Sequence, residues 1–174
     1  MHSVELLPDA VLDARVRSLW QRLADAGLPS LARHQHPTNR PHVTLAVVED
    51  LEPERPALAR LLASLLPVAV GPAHPVVFPG RRSTLVLELP RTPELIDLQA
   101  RVSTLLADVR SPATEHLAPD GWRPHLSVAL RLRPEQAETG LALLAGARTA
   151  SGRLATGRSY DIAAREVRVL SVGE

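Results

Sequence analysis

The chain repeats itself once. Arg40-Pro41-His42-Val43-Thr44-Leu45-Ala46-Val47 and Arg123-Pro124-His125-Leu126-Ser127-Val128-Ala129-Leu130 match in character at every position, 83 residues apart. The same displacement lays Val4-Glu5-Leu6 on Leu87-Glu88-Leu89, Leu23-Ala24-Asp25 on Leu106-Ala107-Asp108, and Leu58 and Leu61 on Leu141 and Leu144. With 20 Arg, 16 Pro and 7 His in 174 residues, chance supplies Arg-Pro-His roughly 0.07 times, so two copies in one register mark a duplicated half rather than convergent strand patterning. Two copies are too few for a solenoid. The reading is a single bilobal domain over 1–174, with halves of roughly 1–82 and 83–174.

Within each half the pattern predicts strand, helix, strand, helix, strand. Val4 to Leu7 reads as a strand. Pro8 and Asp9 open a helix whose Leu12, Val16, Leu19 and Leu23 share a face and which stops near Gly27. A loop from Pro29 to Pro41 leads to a strand over His42 to Val48, then a helix over Glu54 to Leu65. Val68 to Phe78 is rich in Val but broken by Gly71, Pro72 and Pro75, so irregular or edge strands are expected. Ser83 to Leu89 is a strand, and Thr92 caps a helix that starts with Pro93. The loop Ser111 to Pro124, a strand over His125 to Leu132, a helix over Pro134 to Gly146 and two strands within Gly152 to Val172 complete the chain. The expected class is α+β: two pseudo-symmetric lobes, each an antiparallel-rich sheet with helices on its outer face, and a central cleft between them.

Composition removes several function classes. There is no cysteine, which excludes a thiolate zinc site, an iron–sulfur site and a Cys nucleophile. All 20 basic residues are Arg, so no lysine Schiff base can form. A formal charge of +1 argues against sequence-independent binding to nucleic acid, DNA included. Trp20, Phe78, Trp122 and Tyr160 are too few for a stacking platform. No apolar run is long enough for a membrane span and no signal peptide opens the chain, so a cytoplasmic monomer without a membrane partner is expected.

Side chains on a strand alternate between faces. His42, Thr44 and Ala46 therefore share one face and Val43, Leu45 and Val47 the other; His125, Ser127 and Ala129 oppose Leu126, Val128 and Leu130 in the same way. One face belongs to the core. The other offers an imidazole and a hydroxyl about 6.6 Å apart along the strand, and two such strands related by a pseudo-two-fold would bring two of each to one cleft. That set suits metal-free chemistry at a phosphate ester. One neutral and one protonated imidazole supply general base and general acid on opposite sides of phosphorus, while the hydroxyls donate to non-bridging oxygens.

The paired His42-Val43-Thr44-Leu45 and His125-Leu126-Ser127-Val128 resemble the His-x-Thr/Ser-x motifs of the 2H phosphoesterase superfamily, in particular its bacterial 2′-5′ RNA ligase-like, cyclic phosphodiesterase branch. Phe78-Pro79-Gly80 and Trp122-x-Pro124-His125 are similar to that branch as well. The resemblance implies catalysis by His42 and His125, phosphate contact by Thr44 and Ser127, no cofactor, and a small nucleotide or an RNA 2′,3′-cyclic phosphate end, or a 2′-5′ linkage, as substrate. It also suggests His42 as acid and His125 as base, which the symmetry of the pattern cannot decide. The chain departs from the branch at Leu130, five positions after the second histidine, where better characterised RNA cyclic phosphodiesterases often carry arginine.

Arg40 and Arg123, two residues before each histidine, either flank the phosphate or sit solvated at the rim. Arg81-Arg82 could hold an anion as bidentate donors or face solvent in a turn. Phe78 and Tyr160 stack on a base or belong to the core; Trp20 reads as packing. Two rival functions use the same residues. One is a His-ligated metal hydrolase, drawing on His34-x-His36 and His116, although no carboxylate accompanies them at ligand spacing, so the metal expected is none. The other is a binding module that holds nucleotide or phosphate without turnover.

Overall fold

The structure, a computed structural model, describes residues 1–147 and 151–170. Its elements are β1 (His2–Pro8), α1 (Ala10–Asp25), β2 (Val43–Val48), α2 (Arg55–Leu65), β3 (Val68–Val70), β4 (His74–Phe78), β5 (Ser83–Glu88), α3 (Pro93–Leu105), β6 (His125–Leu132), α4 (Pro134–Leu144), β7 (Gly152–Asp161) and β8 (Glu166–Val169). Short 3-10 turns lie in the loops, at Leu31–Arg33 and Pro112–Leu117 among others. The strands expected between 152 and 172 are β7 and β8; positions 171 and 172 lie outside the described residues.

Local chemistry sets the helix ends. The Asp9 carboxylate accepts from the Leu12 N–H at 2.9 Å and the Thr92 hydroxyl from the Leu95 N–H at 3.3 Å, each satisfying an orphan donor of a first turn. Helix α1 stops where Gly27 turns left-handed, φ +74°, a conformation that costs glycine little.

The antiparallel sheets do not coincide with the sequence halves. Sheet 1 runs β2-β1-β7-β3, with β8 also paired to β7; sheet 2 runs β4-β5-β6. Each motif strand thus sits at an edge, beside the first strand of its own half, while the last strand of each half pairs in the sheet of the other. The Gly71-Pro72 break makes this possible, because Val68–Val70 stays on sheet 1 and His74–Phe78 crosses to sheet 2. Helices are exchanged too. Helix α1 packs on β6 and against α4, and α3 packs on β2 and against α2. At Gly157 of β7, a Cβ would fall 2.6 Å from Leu62 Cδ1, so the missing side chain lets α2 approach sheet 1.

Both motif strands carry a β-bulge at the same repeat position. Val4 faces Ala46 but Glu5 faces Thr44, leaving Leu45 without an opposite number; Leu85 faces Ala129 but Val86 faces Ser127, leaving Val128 so. An extra residue reverses the alternation beyond it. The expected faces therefore hold through Leu45 and Val128, both buried, and fail afterwards. Ala46 is buried in the core instead of leaving room in the cleft, and Leu130, expected in the core, is 38% exposed. A second irregularity follows, with Arg131 at φ 59°, before Leu132 rejoins β5 opposite Ser83.

Candidate active site

Arg-Pro-His performs the same local task in both copies. Proline fixes its own φ and holds the preceding residue extended, which leaves the arginine carbonyl within reach of the imidazole two residues on. His42 Nδ1 lies 2.7 Å from the Arg40 carbonyl and His125 Nδ1 2.7 Å from that of Arg123. A carbonyl only accepts, so Nδ1 carries the hydrogen in each neutral ring and Nε2 keeps the working lone pair.

Strands β2 and β6 come into contact, and each is bound by a tryptophan from the other half of the sequence. Trp122 Nε1 donates to the Thr44 carbonyl at 2.9 Å, and Trp20 Nε1 donates to the Ser127 carbonyl at 3.0 Å. Trp20 and Trp122 are both buried; Trp20 packs, as expected, and also caps an open sheet edge. Gln99 Nε2 adds bonds to the carbonyls of Leu45, 3.3 Å, and Leu117, 2.7 Å. Thr44 and Ser127 are half-buried, and their hydroxyls have no hydrogen-bond partner among the described residues.

The surroundings of the two rings differ. His42 Nε2 faces the buried Glu5 carboxylate at 3.7 Å. That carboxylate also accepts from Ser3 Oγ, 2.6 Å, and from Arg158 Nε, 2.7 Å. His125 has Phe78 edge-on at 4.8 Å between centroids, and the Arg123 guanidinium lies 4.3 Å from the Phe78 centroid. Burial pushes the His125 pKa down; its bond to the Arg123 carbonyl opposes this, and the charge of His42 across the cleft adds to the depression. Glu88 is the repeat equivalent of Glu5, yet it makes a bidentate pair with Arg123 at 2.6 and 2.9 Å and lies 3.8 Å from His74 Nε2. The Arg123 hydrogen bond holds the Glu88 carboxyl below its ordinary range.

The other expected site residues divide. Arg40 turns away to Asp13, 3.2 Å, and Arg123 is committed to Glu88 and Phe78. Tyr160 lines a cavity of about 250 Å³ together with His42, His34, His36 and Leu130. Arg81 and Arg82 border a separate open depression with Arg131 and Arg133, and His116 is exposed on its 3-10 turn. Among the described residues no group of three His, Cys, Asp or Glu side chains converges to hold a metal ion, and no helix is long and apolar enough to cross a membrane. Sequence reasoning missed the roles of Glu5, Glu88, Arg158 and His74. The two glutamates were visible in the repeat; the arginine and His74 have no matching partner in it.

Two matching His-x-hydroxyl pairs set on the edge strands of two sheets fit the pattern of a 2H phosphoesterase. The match is more specific than that: the family model for the 2′-5′ RNA ligase superfamily covers residues 8–156, and the chain belongs to that superfamily. The structure is similar to that of Kluyveromyces marxianus Usb1, with a TM-score of 0.61, 13% identity, and 98% of this chain covering 97% of the other. It is also similar to the same protein with uridine monophosphate, at a TM-score of 0.56 and 13% identity over the same shares. At that identity the likeness is one of fold. No curated protein sequence matches.

Proposed function

We propose that the protein is a metal-independent phosphodiesterase that opens 2′,3′-cyclic phosphates, or cleaves 2′-5′ linkages, of nucleotides or RNA ends by two-histidine acid–base catalysis. The observation that carries this reading is the pair of imidazoles on two neighbouring strands whose Nδ1 atoms are both committed to backbone carbonyls, which leaves each Nε2 as the nitrogen available for proton transfer. The uridine monophosphate in the similar Usb1 structure supports a nucleotide as the ligand.

The environments break the symmetry of the motif. His125, half-buried and depressed in pKa, is neutral at neutral pH and suits the base. His42, with the Glu5 carboxylate 3.7 Å from Nε2, suits the acid, since the protonated ring has an ion-pair partner. In hydrolysis of a cyclic phosphate, His125 Nε2 takes a proton from water as its oxygen bonds to phosphorus. The bond from phosphorus to one ribose oxygen breaks, and that oxygen takes the proton from His42 Nε2, leaving a phosphomonoester. Thr44 and Ser127 donate to the non-bridging oxygens where charge develops. Arg123 and Phe78 hold His125 in place rather than bind phosphate, and Arg40 does neither.

Turnover of uridine 2′,3′-cyclic phosphate and of a 2′-5′-linked dinucleotide in the presence of a chelator tests the proposal. Wild type is expected to act on at least one, and His42→Ala and His125→Ala each to lose about 10²- to 10⁴-fold. Activity that survives either substitution refutes the acid–base assignment; activity abolished by chelator moves the reading to a metal hydrolase, and binding without turnover to a binding module.

A further inference from the structure

We infer that the cavity beyond His42 is a nucleobase site, so that the nucleoside held by the enzyme lies on the His42 side of the phosphate and not on the His125 side. The inference rests on the reading of the cleft as a phosphodiester site and adds the direction in which the substrate lies.

Three observations carry it. The cavity is about 250 Å³ and includes His42, but none of Thr44, His125 and Ser127 lines it; it therefore opens outward from the phosphate position of that reading. Full small-molecule pockets span about 300–1,000 Å³, so there is room for a ring system and not for a whole nucleotide. Second, its walls suit a heterocycle, and the one guanidinium among them, Arg158, is already engaged by Glu5 and the Thr38 carbonyl. Leu31, Leu130 and Tyr160 supply apolar surface, and Leu130 is there, 38% exposed, only because the bulge at Val128 turns it out of the core. The exposed leucine and the chain's one tyrosine line the same space, and the exposed His34 and His36, which line it too, can meet the polar edge of a base. Third, the slot is preformed. Asn39 Nδ2 donates to the carbonyls of Leu31 and His34 at 2.8 and 3.0 Å, and Arg158 donates to the Thr38 carbonyl at 3.0 Å, so ordering the loop costs little on binding. On the other side the corresponding space is filled, since Phe78 lies against His125 and Arg123 covers Phe78.

The test compares uridine 2′,3′-cyclic phosphate with ribose 2′,3′-cyclic phosphate, which lacks the base, in wild type, Leu130→Ala and Tyr160→Ala. Leu130 is exposed, so its truncation spares the fold. Wild type is expected to show a lower KM for the nucleotide. Both variants are expected to raise that KM about tenfold, the loss of one apolar contact, with kcat within about twofold and no change on the ribose compound. Equal wild-type KM values for the two compounds, or an unchanged nucleotide KM in Leu130→Ala, overturns the inference. If wild type turns over neither compound, the phosphodiesterase reading fails on its own, and titration with uridine monophosphate and ribose 5-phosphate decides the site. Tighter binding of the nucleotide that Leu130→Ala weakens supports it; equal binding of the two overturns it.

Discussion

The His42 and His125 half-sites carry the same motif residues, yet the groups around the two rings differ. Around His42 the carboxylate is sunk in the protein: Glu5 has 4% of its side chain exposed and Arg158 has 6%, and the reactive nitrogen faces them. Around His125 the equivalent carboxylate, Glu88, is 19% exposed and its partner Arg123 is 47% exposed; the ring leans on Phe78 instead. Symmetry of motif thus coexists with asymmetry of field. An acid needs a group that stabilises its proton and a base needs one that does not, and on the proposed roles the different surroundings of the two matching motifs would supply both.

The largest effect that tests this contrast is on pH dependence. If the roles are as assigned, kcat/KM falls in acid as His125 gains a proton, and because burial lowers its pKa this limb lies below about pH 6.5, the ordinary histidine value. Residual activity of His125→Ala should lack this acidic limb and that of His42→Ala should keep it. The reverse pattern in a pH–rate series would exchange the two roles.

Stability separates the half-sites next. Removing one partner of a buried pair leaves an uncompensated charge and costs about 3–5 kcal/mol, whereas an exposed pair contributes about 0–1 kcal/mol. Arg158→Ala should therefore destabilise the protein by about 3–5 kcal/mol in urea unfolding, and Arg123→Ala by no more than about 1 kcal/mol. The smaller cost also depends on pH. Glu88 has a folded pKa held below its unfolded one by Arg123, so its contribution is present above about pH 4.5 and is lost as pH falls through the lowered value. The gap between wild type and Arg123→Ala should close in acid. Equal costs for the two arginines at neutral pH would erase the contrast.

What the sequence made legible was whatever local spacing encodes. The strand over 125–132, the Thr92 cap and the break at 71–72 follow from residue preferences over a few positions, and the duplication located both imidazoles and both hydroxyls. Three things escaped. The exchange of β4 and β7 between sheets is a choice among long-range pairings that the same alternation pattern serves equally well. The bulges at Leu45 and Val128 involve no glycine or proline, so nothing marks where alternation reverses, and unbroken alternation sends Leu130 to the core. The partners of Glu5 and Glu88 come from 153 and 35 residues away respectively, and only the fold decides which arginine arrives.

The smallest expected effect concerns the tryptophans that tie each lobe to the other's motif strand. Replacing an indole by phenyl keeps most of the packing and removes the N–H, and a typical hydrogen bond contributes about 0.5–1.5 kcal/mol, so Trp20→Phe and Trp122→Phe should each lower stability by about that amount. Their catalytic effects should differ. The first-lobe edge is held at several further points, by Gln99 on the Leu45 carbonyl and by the backbone bonds of Glu49 to Val109 and Ser111 to Val47, whereas the Ser127 carbonyl is held across the cleft by Trp20 alone among the described residues. Loss of the Trp20 donor should therefore loosen β6 and displace Ser127 and His125, lowering kcat more than loss of the Trp122 donor does. Amide exchange through β2 and β6 in the two variants, read beside kcat, checks this directly: exchange that quickens equally in both strands, with equal kcat, would mean that the bracing of the two half-sites is as symmetric as their motifs.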